Sequence, residues 1–221
     1  DKGIPNEDSQ VFEADDSNLF KPNPVSNYDL WEGGARAAVG VSATARMGKD
    51  IELATTVGRR WRQDADPAFN ALSNLSGEKS DYVASVRANI GTLLAVGTRM
   101  RLDDSLAVQR IDVDTSANFW RVSGRARYFE VAENAQGLKD EGIAWNGSFK
   151  FDNHWSAIVE QARNIALRQD IRLSLGIAYE DDCSYFALTY ERLGGRDRTL
   201  GPSESIGFHF ALKGLGGYTT N

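Results

Sequence analysis

Few side chains in this sequence have the type and spacing that covalent or acid–base chemistry needs. His154 and His209 are its two histidines. They show no metal-ligand spacing, and no serine or cysteine lies in a recognisable nucleophile motif. A hydrolase would need one of these histidines beside a nucleophile, whereas isolated histidines on strands are more often interfacial. No metal or cofactor is expected. Cys183, the single cysteine, follows Asp181-Asp182. It closes no disulfide within the chain, so it is either an idle thiol or half of a bridge to another chain or to a segment outside this sequence. Asn74-Leu75-Ser76 and Asn146-Gly147-Ser148 match a glycosylation sequon by chance, since Asn146 falls within an expected strand. The remaining chemistry is electrostatic. Arg87, Arg99, Arg101, Arg121, Arg125, Arg127 and Arg172 recur at alternate positions, and a guanidinium binds phosphate or carboxylate bidentately. Asp103, Asp112, Asp114 and Asp152 are placed to neutralise them across strands, which makes a self-paired, hydrated wall the more economical reading.

For such residues to share a face, the elements that carry them must be strands, because a period of two sends alternate side chains to opposite sides. Asp170 to Glu180 is the clearest case. Ile171, Leu173, Leu175, Ile177 and Tyr179 alternate there with Arg172, Ser174, Gly176, Ala178 and Glu180. The pattern resumes in Phe186, Leu188 and Tyr190 after an acidic turn, and again in Ile206, Phe208, Phe210 and Leu212 after Gly194 to Pro202. Upstream, a glycine- and alanine-rich strand from Trp31 to Ala45 turns at Gly48-Lys49-Asp50 into Ile51 to Arg62. Gln63 to Ser80 has no period and reads as a long surface loop. Tyr82 to Ile90 and Leu94 to Leu102 form a hairpin with an expected two-residue turn at Gly91-Thr92. The next strand runs to Thr115, and Leu106 and Val108 are out of phase with Ile111 and Val113, which suggests a bulge near Gln109. Trp120 to Tyr128, Ile143 to Asp152 and a less regular Trp155 to Ile165 bring the count to about eleven, with a loop from Glu133 to Glu141.

Soluble strands run about five or six residues and bilayer-crossing strands about nine to eleven, and these have the longer length. One face is apolar and aromatic, and the other carries arginine, serine and glycine. The fold class is therefore all-β, an antiparallel transmembrane β-barrel wall between lipid and a polar lumen. The average composition does not oppose this: 41% of the 221 residues are hydrophobic and 25% charged, as interleaved faces require. No window of some eighteen apolar residues marks a membrane-spanning helix. A net charge of -6 and the lack of a basic patch argue against nucleic acid. The N-terminus lacks a basic and apolar signal region, so the chain is expected to be a processed protein or a piece of a longer one. Residues 1–30 read as a polar lead-in, 31–215 as the barrel domain and 216–221 as a tail. An odd strand count leaves a backbone edge unpaired, at several kcal/mol per group in hydrocarbon, so the barrel must close or continue.

Five strings then carry a family likeness: IPNEDSQ from Ile4, DSNLF from Asp16, WEGGAR from Trp31, YEDDC from Tyr179 and PSESIGFHFALKGLGG from Pro202. In this order they resemble the C-terminal half of the LptD family of LPS-assembly proteins. The resemblance implies an outer-membrane translocon of a Gram-negative bacterium that inserts lipopolysaccharide (LPS) into the outer leaflet. Its implied partners are LPS, a plug lipoprotein of the LptE type, the periplasmic Lpt bridge through an N-terminal domain outside this sequence, and outer-membrane lipid. This chain would supply about the last eleven strands of a much larger barrel. Ser205, Ile206, Gly207, Phe208, His209 and Phe210 would lie in the closing strand, at a seam that opens sideways. Cys183 matches the family's C-terminal cysteine, which bridges to the N-terminal region. Many members carry two adjacent cysteines there, and Ser184 occupies the second position here. The lumen-facing arginines would meet the sugar and phosphate groups of the passing glycolipid. The alternative is a general diffusion porin, which shares the lipid face and polar lumen but has no use for the cysteine.

Overall fold

The computed structural model describes residues 15–21, 34–65, 69, 75–133, 137–194 and 201–213. Among them the regular elements are β1 (Arg36–Met47), β2 (Ile51–Arg62), β3 (Tyr82–Ile90), β4 (Leu94–Leu102), β5 (Val108–Phe119), β6 (Val122–Val131), β7 (Asp140–Lys150), β8 (Trp155–Asn164), β9 (Gln169–Glu180), β10 (Ser184–Leu193) and β11 (Ser203–Leu212). They pair in sequence order as one antiparallel eleven-stranded sheet. Connections 48–50, 91–93, 120–121, 151–154 and 181–183 have two to four residues. Those after the even-numbered strands reach 63–81 and 194–202, although 103–107 and 165–168 are short.

Three local expectations are corrected. The turn after β3 has three residues, Gly91 to Leu93, with Gly91 at φ 49°. Trp120 is not a strand residue. It sits in a tight turn with Arg121 at φ 51°, because β5 runs on to Phe119 and leaves only two residues to reverse the chain. Leu106 also lies in a turn, at φ 65°, where its N–H reaches the Asp103 carbonyl at 3.0 Å, so it is outside the strand, which begins at Val108. The less regular β8 is present, and its irregularity is a register shift between Ala162 and Arg163 where it meets β9.

The sheet reverses the polarity of a water-soluble fold. On β2, Ile51, Leu53, Val57 and Trp61 are exposed, while Glu52, Ala54 and Thr56 on the other face are half-buried. On β11, Ile206 is 77% exposed and Phe208 67%. The buried apolar residues among those described are only Leu19, Phe69, Leu75, Val83, Ala178 and Ala187. A soluble sheet of this size would place its isoleucines and phenylalanines there instead. The apolar core that a soluble β-sandwich needs therefore has no counterpart in the described residues.

By internal contacts the chain forms two compact units. One comprises Asp1–Ile90, Gly97–Val113 and Glu130–Lys139, the other Gly91–Val96, Asp114–Phe129 and Asp140–Asn221. Within the first unit the β1–β2 hairpin pairs Gly40 directly with Gly58. A Cβ on Gly58 would stand 2.6 Å from the Val39 carbonyl oxygen and 2.8 Å from both the Gly40 Cα and Leu19 Cδ2. The two strands meet there with no room for a side chain. Gly58→Ala is expected to cost about 1 to 3 kcal/mol through overpacking against backbone that has nowhere to move. Gly201→Ala should be neutral, since nothing lies within 4 Å of its added Cβ. Urea unfolding of the two variants, followed by loss of gel mobility of the folded form, measures the difference.

Candidate functional site

The polar face carries the arginines. In the first unit Arg87 stands opposite Ala54 on that face, Arg101 pairs with Asp81 at 3.1 Å, and Arg110 with Asp112 at 2.7 Å. Arg99 is exposed on β4. In the second unit Arg127 pairs with Asp114 at 2.7 Å, and Arg172 lies between Glu160 at 3.5 Å and Glu191 at 2.6 Å. Arg125 is exposed on β6. Arg121 sits apart from the wall: in its turn it donates to the Phe151 carbonyl at 2.6 Å and lies 4.9 Å from the Trp120 ring centroid. Arg127 and Arg172 are thus neutralised across strands, Arg101 by the residue that precedes β3 and Arg110 along its own strand, by a set of acids that overlaps only in part with that expected. Asp103 and Asp152 spend their carboxylates on turns. Ser105 Oγ donates to Asp103, and the His154 and Trp155 N–H groups donate to Asp152. Glu160 and Glu191 take their places in the wall.

A second feature on the polar face was not anticipated. Asp15 to Phe20 form a compact turn held by the Asp15 carboxylate, which accepts from the N–H groups of Ser17 at 2.8 Å and Asn18 at 3.1 Å. Its Leu19 is fully buried. Leu19 and Phe20 enter the notch left by Gly58 and Gly40, where an added Cβ would come within 2.9 Å of Phe20 Cζ. Arg60, buried beside them, donates to the carbonyls of Leu19 at 2.7 Å and Lys21 at 3.0 Å. The docked residues belong to the DSNLF string. A signal was present in the sequence, because Gly40 and Gly58 are equidistant from Lys49 at the centre of the hairpin turn. On the other face, Arg59 breaks the apolar series of β2. Its guanidinium is covered by the Ser80 carbonyl, by Asp104 at 2.7 Å and by the Tyr82 ring at 4.3 Å. Asp81, in the same cluster, has its carboxyl pushed up by burial, against the pull of Arg101.

On the apolar face of the second unit, residues of β6 to β11, among them Trp145, Gly147, Phe149, Ala157, Leu175 and Ile206, line an open groove of about 710 Å³. Ser205 to Phe210 all lie in β11, which pairs with β10 along its length. Gly207 accepts Thr189 Oγ1 into the space a Cβ would take, at 2.8 Å. The histidines pack against rings. His154 stacks on Tyr179 at 5.7 Å, and His209 lies 5.7 Å from Tyr185. No group of three metal-ligating side chains occurs among the described residues.

Cys183 is an exposed free thiol in the turn before β10. Asp181 builds that turn by accepting from the N–H groups of Cys183 at 2.9 Å and Ser184 at 2.6 Å. Those two N–H groups hold its carboxyl below the usual range.

A family model described as LPS transport system D, LptD, matches residues 1–155. No curated protein sequence matches the chain.

The Asp181 turn makes the thiol's setting depend on pH. A carboxylate whose pKa is depressed by folding contributes stability above its unfolded value of about 3.9, and that stability is lost as pH falls through the lower folded value. Hydrogen exchange should therefore show the Cys183 and Ser184 amides protected from neutral pH down into the ordinary carboxylate range and released below it. Asp181→Ala should release them at every pH.

Proposed function

The chain belongs to the LptD family, and from that premise we propose that its sheet is part of the wall of an outer-membrane β-barrel that assembles LPS into the outer leaflet. The observation that carries this reading is the reversed polarity of the sheet. Strands of nine to twelve residues expose an aliphatic and aromatic face while their polar face carries arginine–carboxylate pairs, an arrangement that lipid stabilises and water penalises. Short connections at one edge and longer ones at the other fit the periplasmic and extracellular ends of such a wall. The polar face would line the lumen, where guanidinium groups meet the phosphates and sugars of the glycolipid. β11, with Ser205, Ile206, Gly207, Phe208, His209 and Phe210, would be one side of the seam through which lipid leaves. A plug lipoprotein of the LptE type and the periplasmic Lpt bridge would be the partners. Positioning and electrostatics do this work, and no residue of the chain is assigned a catalytic step.

Depleting the native protein should stop newly made LPS from reaching the cell surface, measured by surface labelling, while uptake of small hydrophilic solutes stays unchanged. Loss of solute uptake with LPS surfacing intact would instead identify a diffusion porin.

Cys183 is proposed to bridge to a cysteine outside this sequence. Its exposure in a turn at the sheet edge leaves the sulfur within reach of such a partner. The native gene product, run on a denaturing gel, should change mobility on addition of reductant, and Cys183→Ser should remove that change. A wild-type protein indifferent to reductant would refute the bridge.

A further inference from the structure

The groove on the apolar face of the second unit is uneven in its chemistry. Gly147, Val159, Leu175, Tyr190 and Ile206 pair in turn to form one cross-strand row from β7 to β11, and all five line the groove. A second lining row, from Phe149 to Leu188, runs beside it. Four strand spacings of about 4.8 Å make the first row about 19 Å long. One acyl chain fills half of a hydrocarbon core, about 15 Å, so a chain laid across the strands fits within that length. The volume of about 710 Å³ falls in the range of about 300 to 1,000 Å³ typical of small-molecule sites.

Gly147 keeps the β7 end open. A Cβ added there would meet Val159 Cγ1 at 3.6 Å and the Ser123 carbonyl oxygen at 3.7 Å, both ordinary contacts. Unlike Gly58, this glycine answers to no backbone crowding, and the space above it belongs to the groove.

No residue lining the groove is charged. In the next row on the same face, Trp145, Gln161, Leu173, Arg192 and Glu204, charge is confined to the last two. They stand directly beyond Tyr190 and Ile206, so the groove has one charged end. The two side chains are 57% and 60% accessible, with 3.9 Å between Arg192 Nε and Glu204 Oε1. So loose and exposed a pair is worth little to either partner, and both groups can be drawn to a ligand. A guanidinium takes phosphate and a carboxylate takes an ammonium. A purely anionic headgroup would have to face Glu204 as well as Arg192, whereas one that carries phosphate and amine together satisfies both.

We propose that this face binds one zwitterionic, amine-bearing phospholipid, with an acyl chain across the Gly147–Ile206 row, its phosphate on Arg192 and its ammonium on Glu204. This rests on the reading of the apolar face as lipid-facing. Because β11 supplies Ile206 and Glu204, the bound lipid lies against the strand proposed as one side of the seam, and its headgroup chemistry differs from that of the anionic cargo.

The test is native mass spectrometry of the full-length protein in detergent, with dipalmitoyl phosphatidylethanolamine and dipalmitoyl phosphatidylglycerol in competition. The wild type should retain one phosphatidylethanolamine in about tenfold preference. Gly147→Leu, which fills the groove, should lower that retention about tenfold. Arg192→Gln combined with Glu204→Gln, which leaves the groove intact, should abolish the preference. Equal retention of the two lipids by the wild type overturns the proposal, as does a preference for phosphatidylglycerol. Retention that Gly147→Leu leaves unchanged, or a preference that the double substitution leaves intact, also overturns it. The wild-type comparison decides even where a variant does not fold. A full-length protein that stays dispersed in water without detergent would instead refute the lipid-facing reading itself.

Discussion

A backbone amide or carbonyl in hydrocarbon has no water to bond, and leaving it unpaired costs several kcal/mol. On the proposed reading, that constraint decides most of this molecule. It requires strands paired along their whole length, and eleven consecutive neighbours satisfy it for all but the outer edges of β1 and β11. It also inverts the usual logic of burial. Once the pairing is complete, no apolar core is needed, and Ile206 or Val41 stabilises the fold best by facing outward. The few buried apolar residues then have local tasks: Leu19 fills the glycine notch, and Phe69 lies 5.0 Å from the Arg62 guanidinium.

The same constraint explains where charge is tolerated on the apolar face. Arg59 is admitted because Ser80, Asp104 and Tyr82 cover it, so it behaves as part of a loop anchor and not as a charge presented to lipid. Arg192 and Glu204 pair only loosely with each other, at 3.9 Å, and on the proposed reading would lie where headgroups begin. Two arginines on one face thus mark two different situations, and the neighbours within hydrogen-bond reach distinguish them.

The period-two pattern made the strands legible from sequence, and it worked best where both faces were uniform, as in β9 and β11. It was weakest where a single residue stood for two outcomes. Trp120 has a side chain that suits a lipid-facing strand, yet two residues must turn the chain between β5 and β6, and closure of the hairpin outweighs the preference of one indole. The arginine wall was legible as a set, but its partners were not. An aspartate such as Asp103 or Asp152 is too short-stemmed to ignore the free N–H groups of its own turn, whereas Glu160 and Glu191 reach across strands to Arg172. The docked Asp15–Lys21 turn escaped the reading because it has no period at all. Its sole trace was a pair of glycines placed symmetrically about a hairpin, which acquires meaning only when the register is drawn.

On the proposed reading, pairing within the arginine wall bears on transport as much as on folding. An unpaired arginine facing the lumen would hold a phosphate strongly, since a charge-assisted bond to it would replace nothing but water. An arginine already engaged, as Arg127 is with Asp114 and Arg172 with two glutamates, must exchange one anion for another. Exposed ion pairs of this kind are worth about 0 to 1 kcal/mol, so the exchange is nearly even in free energy. A surface that binds and releases an anionic amphiphile at similar cost passes it along, while one that binds it tightly becomes a trap. On the proposed reading, the carboxylates that compete with the cargo would therefore keep the wall from retaining it.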